Sequence, residues 1–194
     1  LVFARPTGQV RIEEGADFVQ IAAENEWRWE DRTPVVREEA IIRAARQTAA
    51  GRAIDLQFRF TALEAGVQVA RRGTSHYGGL NVRLSAAQDQ QIETGTDPAG
   101  ASPRRAWAQR TGIPAGGQAV VGFTILQHAQ NPDYPGDWVQ YPNLSWIQPT
   151  FPAANTRYTI TKDRPLVLRY RLWIHAGKQT PETIQGWWDA YQEV

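Results

Sequence analysis

The stretch Ile54-Asp55-Leu56-Gln57-Phe58-Arg59-Phe60-Thr61 decides the fold class of this chain of 194 residues. Apolar and polar residues alternate along it, and a period of two is typical of a β-strand with one buried face. The same alternation recurs in residues 166–174 and, more briefly, at Leu80, Val82 and Leu84. Residues 120–126 are apolar on both faces, which predicts a central strand.

Turn-forming residues divide the rest of the chain into short segments. The main turn signals are Gly15, residues 64–66, 97–100 and 114–117. Further strand candidates cover residues 9–14, 18–23, 67–71 and 157–161. Residues 35–50 would suit a helix by propensity, but their surroundings favour a strand. Many strands joined by turns, without alternating helices, predict an all-β fold, an antiparallel β-sandwich.

One amphipathic helix is predicted near the C-terminus. Thr180 is a suitable N-cap, and Pro181 follows at a position where its missing N–H costs nothing. The apolar residues that share one face of this helix are Ile184, Trp187, Trp188 and Tyr191. We expect this face to pack on the sandwich.

Composition excludes several classes of partner. The formal net charge is +1, and arginines such as Arg59, Arg83, Arg169 and Arg171 alternate with apolar residues as on solvated strand faces. A nucleic-acid partner would usually require a clustered basic face. No apolar run approaches the about 20 residues of a membrane helix. We expect neither partner, and the absence of cysteine excludes disulfides and thiolate metal sites.

The N-terminus suggests an incomplete domain, because the chain begins at Leu1 and contains no methionine. We expect a single domain over residues 1–194 that lacks its N-terminal portion, with that segment or a second chain completing the fold. The lack of cysteine suits an exported protein as well as a cytoplasmic one, and export is slightly favoured.

The candidate catalytic residues are the three histidines, His76, His128 and His175, which all lie in short motifs at the ends of predicted strands. Histidine exchanges protons near neutral pH and is the commonest metal ligand. The sequence contains no GxSxG, HExxH, P-loop or dinucleotide-binding motif. The histidines could share a pocket, or each could simply hydrogen-bond a backbone carbonyl.

Several motifs resemble, in order, those of a bacterial family labelled methane oxygenase PmoA-like. The segment Gly73-Thr74-Ser75-His76-Tyr77-Gly78-Gly79-Leu80-Asn81-Val82-Arg83 is similar to its GG-L-x-V-R strand. His128 with Asn131-Pro132 is similar to its H-P-x-N-P turn, and Leu168-Arg169-Tyr170-Arg171 with His175 to its L-R-Y-R…H-x-G strand. Ala108-Gln109-Arg110 departs from the family's Asp-Tyr-Ser, and an upstream His-His-Arg motif is lacking.

The resemblance covers most of residues 9–192. It implies a β-sandwich, either a plain one or a supersandwich like that of the galactose mutarotases, in bacteria that degrade complex carbohydrate. It brings no established activity.

The first functional hypothesis is sugar processing. His128 and His175 would supply acid–base catalysis, and His76 would position the substrate. A carboxylate from Asp133, Asp137 or Glu64 would assist. The expected substrate-binding residues are Arg83, Asn131, Trp138 and Tyr141.

Three alternatives remain open. Residues 128–151 are rich in proline and aromatic residues, which predicts a long, stiff loop without regular structure. This loop could be the platform of a non-catalytic sugar-binding domain, with Trp138 and Trp146 at its centre. The three histidines could instead hold zinc, copper or iron. A purely structural protein is the third alternative. We expect a carbohydrate or other small-molecule ligand and no cofactor or resident metal.

Overall fold

A computed structural model describes residues 1–73, 76–95, 105–141 and 145–193, without the side chain of Tyr141. The strands are β1 (Val2–Glu14), β2 (Phe18–Trp29), β3 (Thr33–Ala45), β4 (Arg52–Ala62), β5 (Gln68–Val69), β6 (Val82–Arg83), β7 (Ala87–Gly95), β8 (Trp107–Pro114), β9 (Val121–Gln127), β10 (Trp138–Tyr141), β11 (Trp146–Pro149), β12 (Tyr158–Thr159) and β13 (Leu166–Ala176), and the helix is α1 (Pro181–Gln192). The predicted turn at residues 97–100 lies outside the described residues.

Eight strands form one large antiparallel sheet in the order β1-β2-β3-β4-β13-β9-β8-β7. Strand β9 pairs with β13 on one side and β8 on the other, which confirms the predicted central strand. Residues 35–50, which helix propensity made ambiguous, mostly belong to strand β3, as expected. This strand pairs along its length with both β2 and β4. Cross-strand packing therefore overrides its helix propensity.

Two small sheets, β10-β11-β6 and β12-β5, supply apolar residues to the core on one face of the large sheet. The buried core residues include Leu56, Ile125, Leu168 and Tyr170 of the large sheet, with Ile147, Phe151 and Ile160 from the rest of the chain. The all-β, sandwich-like architecture is thus confirmed. A supersandwich, a single domain over residues 1–194 and a missing N-terminal portion stay predictions.

The two small sheets cover the core face of the large sheet only as far as about strand β4. One row of directly paired residues runs from Ile12 through Ile21 and Ile42 to Leu56. The exposed fraction falls from 62% at Ile12 to 40% at Ile42 and 8% at Leu56. An apolar strip over β1, β2 and β3 is therefore open to solvent. A second chain or further segment covering it stays a prediction.

The C-terminal helix packs on the opposite face of the large sheet. The Thr180 hydroxyl accepts a hydrogen bond from the Thr183 backbone N–H at 3.3 Å, which confirms the predicted N-cap. Ile184, Trp188 and Tyr191 are buried on this face, as their spacing predicted. Among the described residues, no helix is long and apolar enough to cross a membrane.

The proline-rich region at residues 128–151 differs from the irregular loop that we expected. Within it, β10 and β11 form an antiparallel pair that joins Trp138 to Pro149 and Val139 to Gln148. Aromatic and β-branched residues favour such pairing, and Pro149 is tolerated because it ends its strand.

Candidate functional site

A polar cleft lies on the helix side of the large sheet, beside the C-terminal end of α1. Two cross-strand rows form its floor: Gln20, Arg43, Asp55 and Arg171 in one, and Ile41, Gln57 and Arg169 in the next. His128, Tyr191, Ala45 and Leu56 also line it. Its volume is about 510 Å³, which lies within the range of roughly 300–1,000 Å³ common for small-molecule sites.

Asp55 and Arg171 form a bidentate ion pair across the floor of the cleft. The Arg171 Nε and Nη2 atoms donate to the two Asp55 carboxylate oxygens at 2.6 and 2.9 Å. The Arg171 guanidinium also lies 4.7 Å from the centre of the Tyr191 ring. Both contacts restrict the Arg171 side chain, so the geometry of the floor is defined before any ligand arrives.

Arg169 is positioned through both its backbone and its side chain. Strand β9 ends at Gln127, and the Asn131 amide continues its ladder by bonding the Arg169 N–H and C=O, each at 2.7 Å. The Arg169 Nε atom donates to Gln57 Oε1 at 3.1 Å, and Nη1 donates to Gln130 Oε1 at 3.3 Å. Its guanidinium is thus held by neutral groups.

His128 is buried in the wall of the cleft, with an exposed fraction of 2%. The Gln130 backbone N–H donates to Nδ1 at 3.1 Å, so the neutral ring carries its proton on Nε2. Nε2 has no hydrogen-bond partner among the described residues. Burial lowers the pKa of His128, and the charge of Arg169 lowers it further. The ring is therefore a neutral donor near pH 7.

A family model described as "Family of unknown function (DUF6807)" matches residues 4–189. The chain belongs to this family. Neither a curated protein nor a solved structure matches it.

Membership of the DUF6807 family corrects the identification made from the sequence motifs, since nothing in the match points to a methane oxygenase PmoA-like family. Those motifs combine glycines, alternating strand residues and strand-end histidines that the fold itself requires. Gly79, for example, has a φ of 85° and lies against the backbone of Phe151. Such residues indicate turns and strands, which occur in many β-rich proteins, so these motifs do not identify one family.

In this DUF6807 chain, His175 lies far from the polar cleft. Its Nε2 is 3.0 Å from the Thr124 hydroxyl, and its Nδ1 is 3.4 Å from the Ala176 carbonyl. Burial is the largest cause that lowers the pKa of His175. His128 lies beside Arg169, since its backbone N–H donates to the Arg169 carbonyl. Arg169 precedes His175 by six residues on β13, and six residues of strand span about 20 Å. The structure therefore separates these two histidines.

His76 lies in neither place. It is exposed, in a turn where its backbone N–H donates to the Arg72 carbonyl at 3.1 Å. The neighbouring Tyr77 ring contacts Trp146, at the start of β11 in the three-stranded sheet. His76 thus belongs to the second layer of the fold, whereas His128 and His175 contact the C-terminal helix on the other side of the large sheet.

The predicted substrate-binding residues are also dispersed. Arg83 lies over the Trp146 ring at 4.3 Å, and Trp138 Nε1 donates to the Arg105 carbonyl at 2.9 Å, both in the second layer. Asn131 borders the polar cleft, but its amide is engaged by Arg169. The backbone of Tyr141 ends β10, and its side chain lies outside the described atoms.

The carboxylates proposed as helpers do not line the polar cleft either. Asp137 pairs with Arg71 at 2.8 Å, and Asp133 accepts from the Ala153 backbone N–H at 3.1 Å. Glu64 is exposed in the turn after β4. In the described ranges, no group of three or more His, Cys, Asp or Glu residues is placed to hold a metal ion.

Sequence reasoning missed the residues that form the polar cleft. Arg169 and Arg171 were interpreted as solvated strand residues, and Asp55 and Gln57 were noted only as the polar half of an alternating strand. One signal was available: Asp55 and Gln57 have the same i, i+2 spacing as Arg169 and Arg171. Antiparallel pairing of β4 with β13 turns this shared spacing into two matched pairs.

A second cavity, of about 500 Å³, lies on the core face of the large sheet and is mainly apolar. Its lining includes Trp27, Phe58, Phe60 and Phe151. Glu38 is the one acidic residue in the part of its lining that the structure describes, and this carboxylate already accepts from Trp27 Nε1 at 2.6 Å. The cavity adjoins the open apolar strip of β1–β3, and the polar cleft offers the richer set of directional contacts.

Proposed function

We propose that the protein binds a small, hydroxyl-rich ligand of the carbohydrate class in the polar cleft. The observation that supports this most is the pair of cross-strand rows on the cleft floor. They bring carboxylate oxygens from Asp55, amides from Gln20 and Gln57, and guanidinium donors together within one cavity. Sugar hydroxyls both donate and accept hydrogen bonds, so they require a mixed set of this kind.

Binding without proton transfer fits the histidine geometry better than acid–base catalysis does. His128 has its Nδ1 engaged as an acceptor and its proton on Nε2, so the neutral ring can donate one hydrogen bond. It offers no free basic nitrogen. With His175 about 20 Å away along β13, the described lining of the cleft contains a single histidine. Its Nδ1 is engaged and its Nε2 is buried from solvent, so it offers no base to a ligand.

The proposal is tested by calorimetric titration of the protein with a panel of neutral and acidic monosaccharides. We expect saturable binding of at least one of them. Gln57→Ala and Gln20→Ala should each weaken it about 3- to 10-fold, as expected for the loss of one or two hydrogen bonds. Gln9→Ala, on exposed β1 outside the cleft, is the matched control and should leave affinity unchanged. Absence of binding to every sugar would contradict the proposal.

The sugar-processing hypothesis is tested with the same samples. Exchange between the two anomers of the bound sugar is followed by NMR saturation transfer, with and without protein. We expect no acceleration. An acceleration that disappears in His128→Gln would show proton chemistry in the cleft and overturn binding alone.

A further inference from the structure

We infer that the ligand of the polar cleft is an anionic sugar whose carboxylate or phosphate group binds between Arg169 and Arg43. This inference rests on the proposed function and adds the chemical class of the ligand. It is carried by the charge of the cleft and by how each arginine there is held.

The lining of the polar cleft has an excess of positive charge. Among the described residues, it contains three arginines, Arg43, Arg169 and Arg171, against one carboxylate, Asp55. The paired hydrogen bonds between Asp55 and Arg171 satisfy that carboxylate and one of the guanidinium groups. Two positive charges remain without a counterion in the lining.

Arg43 and Arg169 make no ion pair with any residue that the structure describes. Two other arginines on the same face of the sheet do have ion-pair partners. Arg59 pairs with Glu39 at 3.5 Å, and Arg37 pairs with Glu24 at 3.4 Å. Arg11, on the edge strand β1 of the same face, also makes no ion pair with a described residue, but it does not line the cleft. Arg43 and Arg169 are therefore the unpaired charges that an anion bound in the cleft could neutralise.

Both unpaired guanidinium groups are held in place by groups that leave their charge intact. Arg169 donates to the amide oxygens of Gln57 and Gln130, and its Nη2 is free of these two bonds. The Arg43 guanidinium lies 3.7 Å from the centre of the Phe18 ring. The Arg169 guanidinium is already oriented in the cleft, so it loses less entropy when it binds an anion. The planar N–H groups of both arginines match the oxygens of a carboxylate or phosphate.

The separation of the two arginines suits one substituted sugar. Arg43 and Arg169 lie two strands apart, on β3 and β13, and one row apart along the strands. Strand spacing of about 4.8 Å and a rise of about 3.4 Å per residue place their Cα atoms roughly 10–12 Å apart. The Arg43 guanidinium rests over Phe18 of β2, on the far side of β3 from Arg169, so it must leave that ring for the two arginines to converge on one anionic group. Gln20 and Gln57 remain available to the hydroxyls.

The test compares glucose, glucuronate and glucose 6-phosphate by calorimetric titration at low salt. We expect at least one anionic sugar to bind 10-fold or more tightly than glucose, with an affinity that falls as salt is added. Arg43→Gln should reduce this preference to less than about 3-fold. Arg59→Gln, which lies on the same face outside the cleft, should preserve it.

The outcomes separate this inference from the proposed function. Equal binding of glucose and both anionic sugars would contradict the anionic ligand while leaving sugar binding intact. A preference that persists in both Arg43→Gln and the double variant Arg43→Gln/Arg169→Gln would show that these arginines are not the anion site. If no sugar binds, both proposals fail. Arg43 is exposed, so its variant is expected to fold even if the double variant does not.

Discussion

Asp55 and Arg171 lie directly opposite each other on neighbouring antiparallel strands, 116 residues apart in the chain, and are joined by two hydrogen bonds. This pair connects strands β1–β4, which come first in the chain, to β13, which is the last strand in the chain and lies beside β4 in the sheet. Within the polar cleft, it neutralises the charges of Asp55 and Arg171, whereas Arg43 and Arg169 have no ion-pair partner among the described residues.

Asp55→Asn is expected to destabilise the protein by about 1–3 kcal/mol, because it leaves the half-buried Arg171 guanidinium without its counterion. The matched control is Glu39→Gln on the adjacent strand, whose partner Arg59 is well exposed. It should cost less than about 1 kcal/mol. Urea unfolding of the three proteins measures both changes, and equal losses would show that the cleft pair has no special role.

Asn131→Ala is expected to reduce the free energy of unfolding by about 2 kcal/mol. Its side chain bonds the N–H and C=O of Arg169 where β9 has ended, so its removal leaves a strand amide without a partner. Asn81→Ala, at an exposed position, serves as the control and should be nearly neutral. A neutral Asn131→Ala would mean that water replaces the amide at no cost.

Gly122→Ala is expected to cost about 1–3 kcal/mol through overpacking. Gly122 pairs directly with His175, and a Cβ at this position would overlap the His175 ring. The same change made in a His175→Ala background should cost much less. Thermal unfolding of the four proteins in this double-mutant cycle gives the coupling, and equal costs in both backgrounds would contradict the close packing.

Stability is expected to fall as the pH is lowered below about 6.5, the ordinary pKa of histidine. Burial lowers the pKa of His175 in the native protein, so the unfolded chain binds more protons in the window between the native and ordinary values. The stabilisation is complete above this window and lost as the pH falls through it. Urea unfolding at pH 7.5 and 5.5 should show a smaller pH effect in His175→Gln than in the original protein.

Gly186→Ala is expected to stabilise the protein by about 0.5–1 kcal/mol. Gly186 lies within α1, where glycine is less favourable than alanine, and an added Cβ would meet nothing within 4 Å. The melting temperature should rise, with ligand binding unchanged. A lower melting temperature would show that this part of the helix packs more closely than the structure indicates.

Strand period and helix capping were predictable because they depend on residues close together in the chain. The alternation in residues 54–61 and 166–174 identified two central strands, and Thr180 with Pro181 marked the start of α1. The irregular interpretation of residues 128–151 was wrong, since residues 138–141 and 146–149 form two paired strands there. The histidine site could not be judged from sequence, because the histidines were placed only at the ends of predicted strands, whose neighbours and facing layer were unknown.

The sequence by itself determined the strands whose alternation is regular, such as residues 54–61 and 166–174, which of their faces are apolar, and where the one predicted helix begins. These properties follow from local periodicity and local backbone preferences. Only the tertiary structure decided that Asp55 pairs with Arg171, that Asn131 extends the ladder to Arg169, and that His128 and His175 lie apart. Those relations depend on strand order and register, which are set by the packing of residues distant in sequence and shift every facing pair when they change.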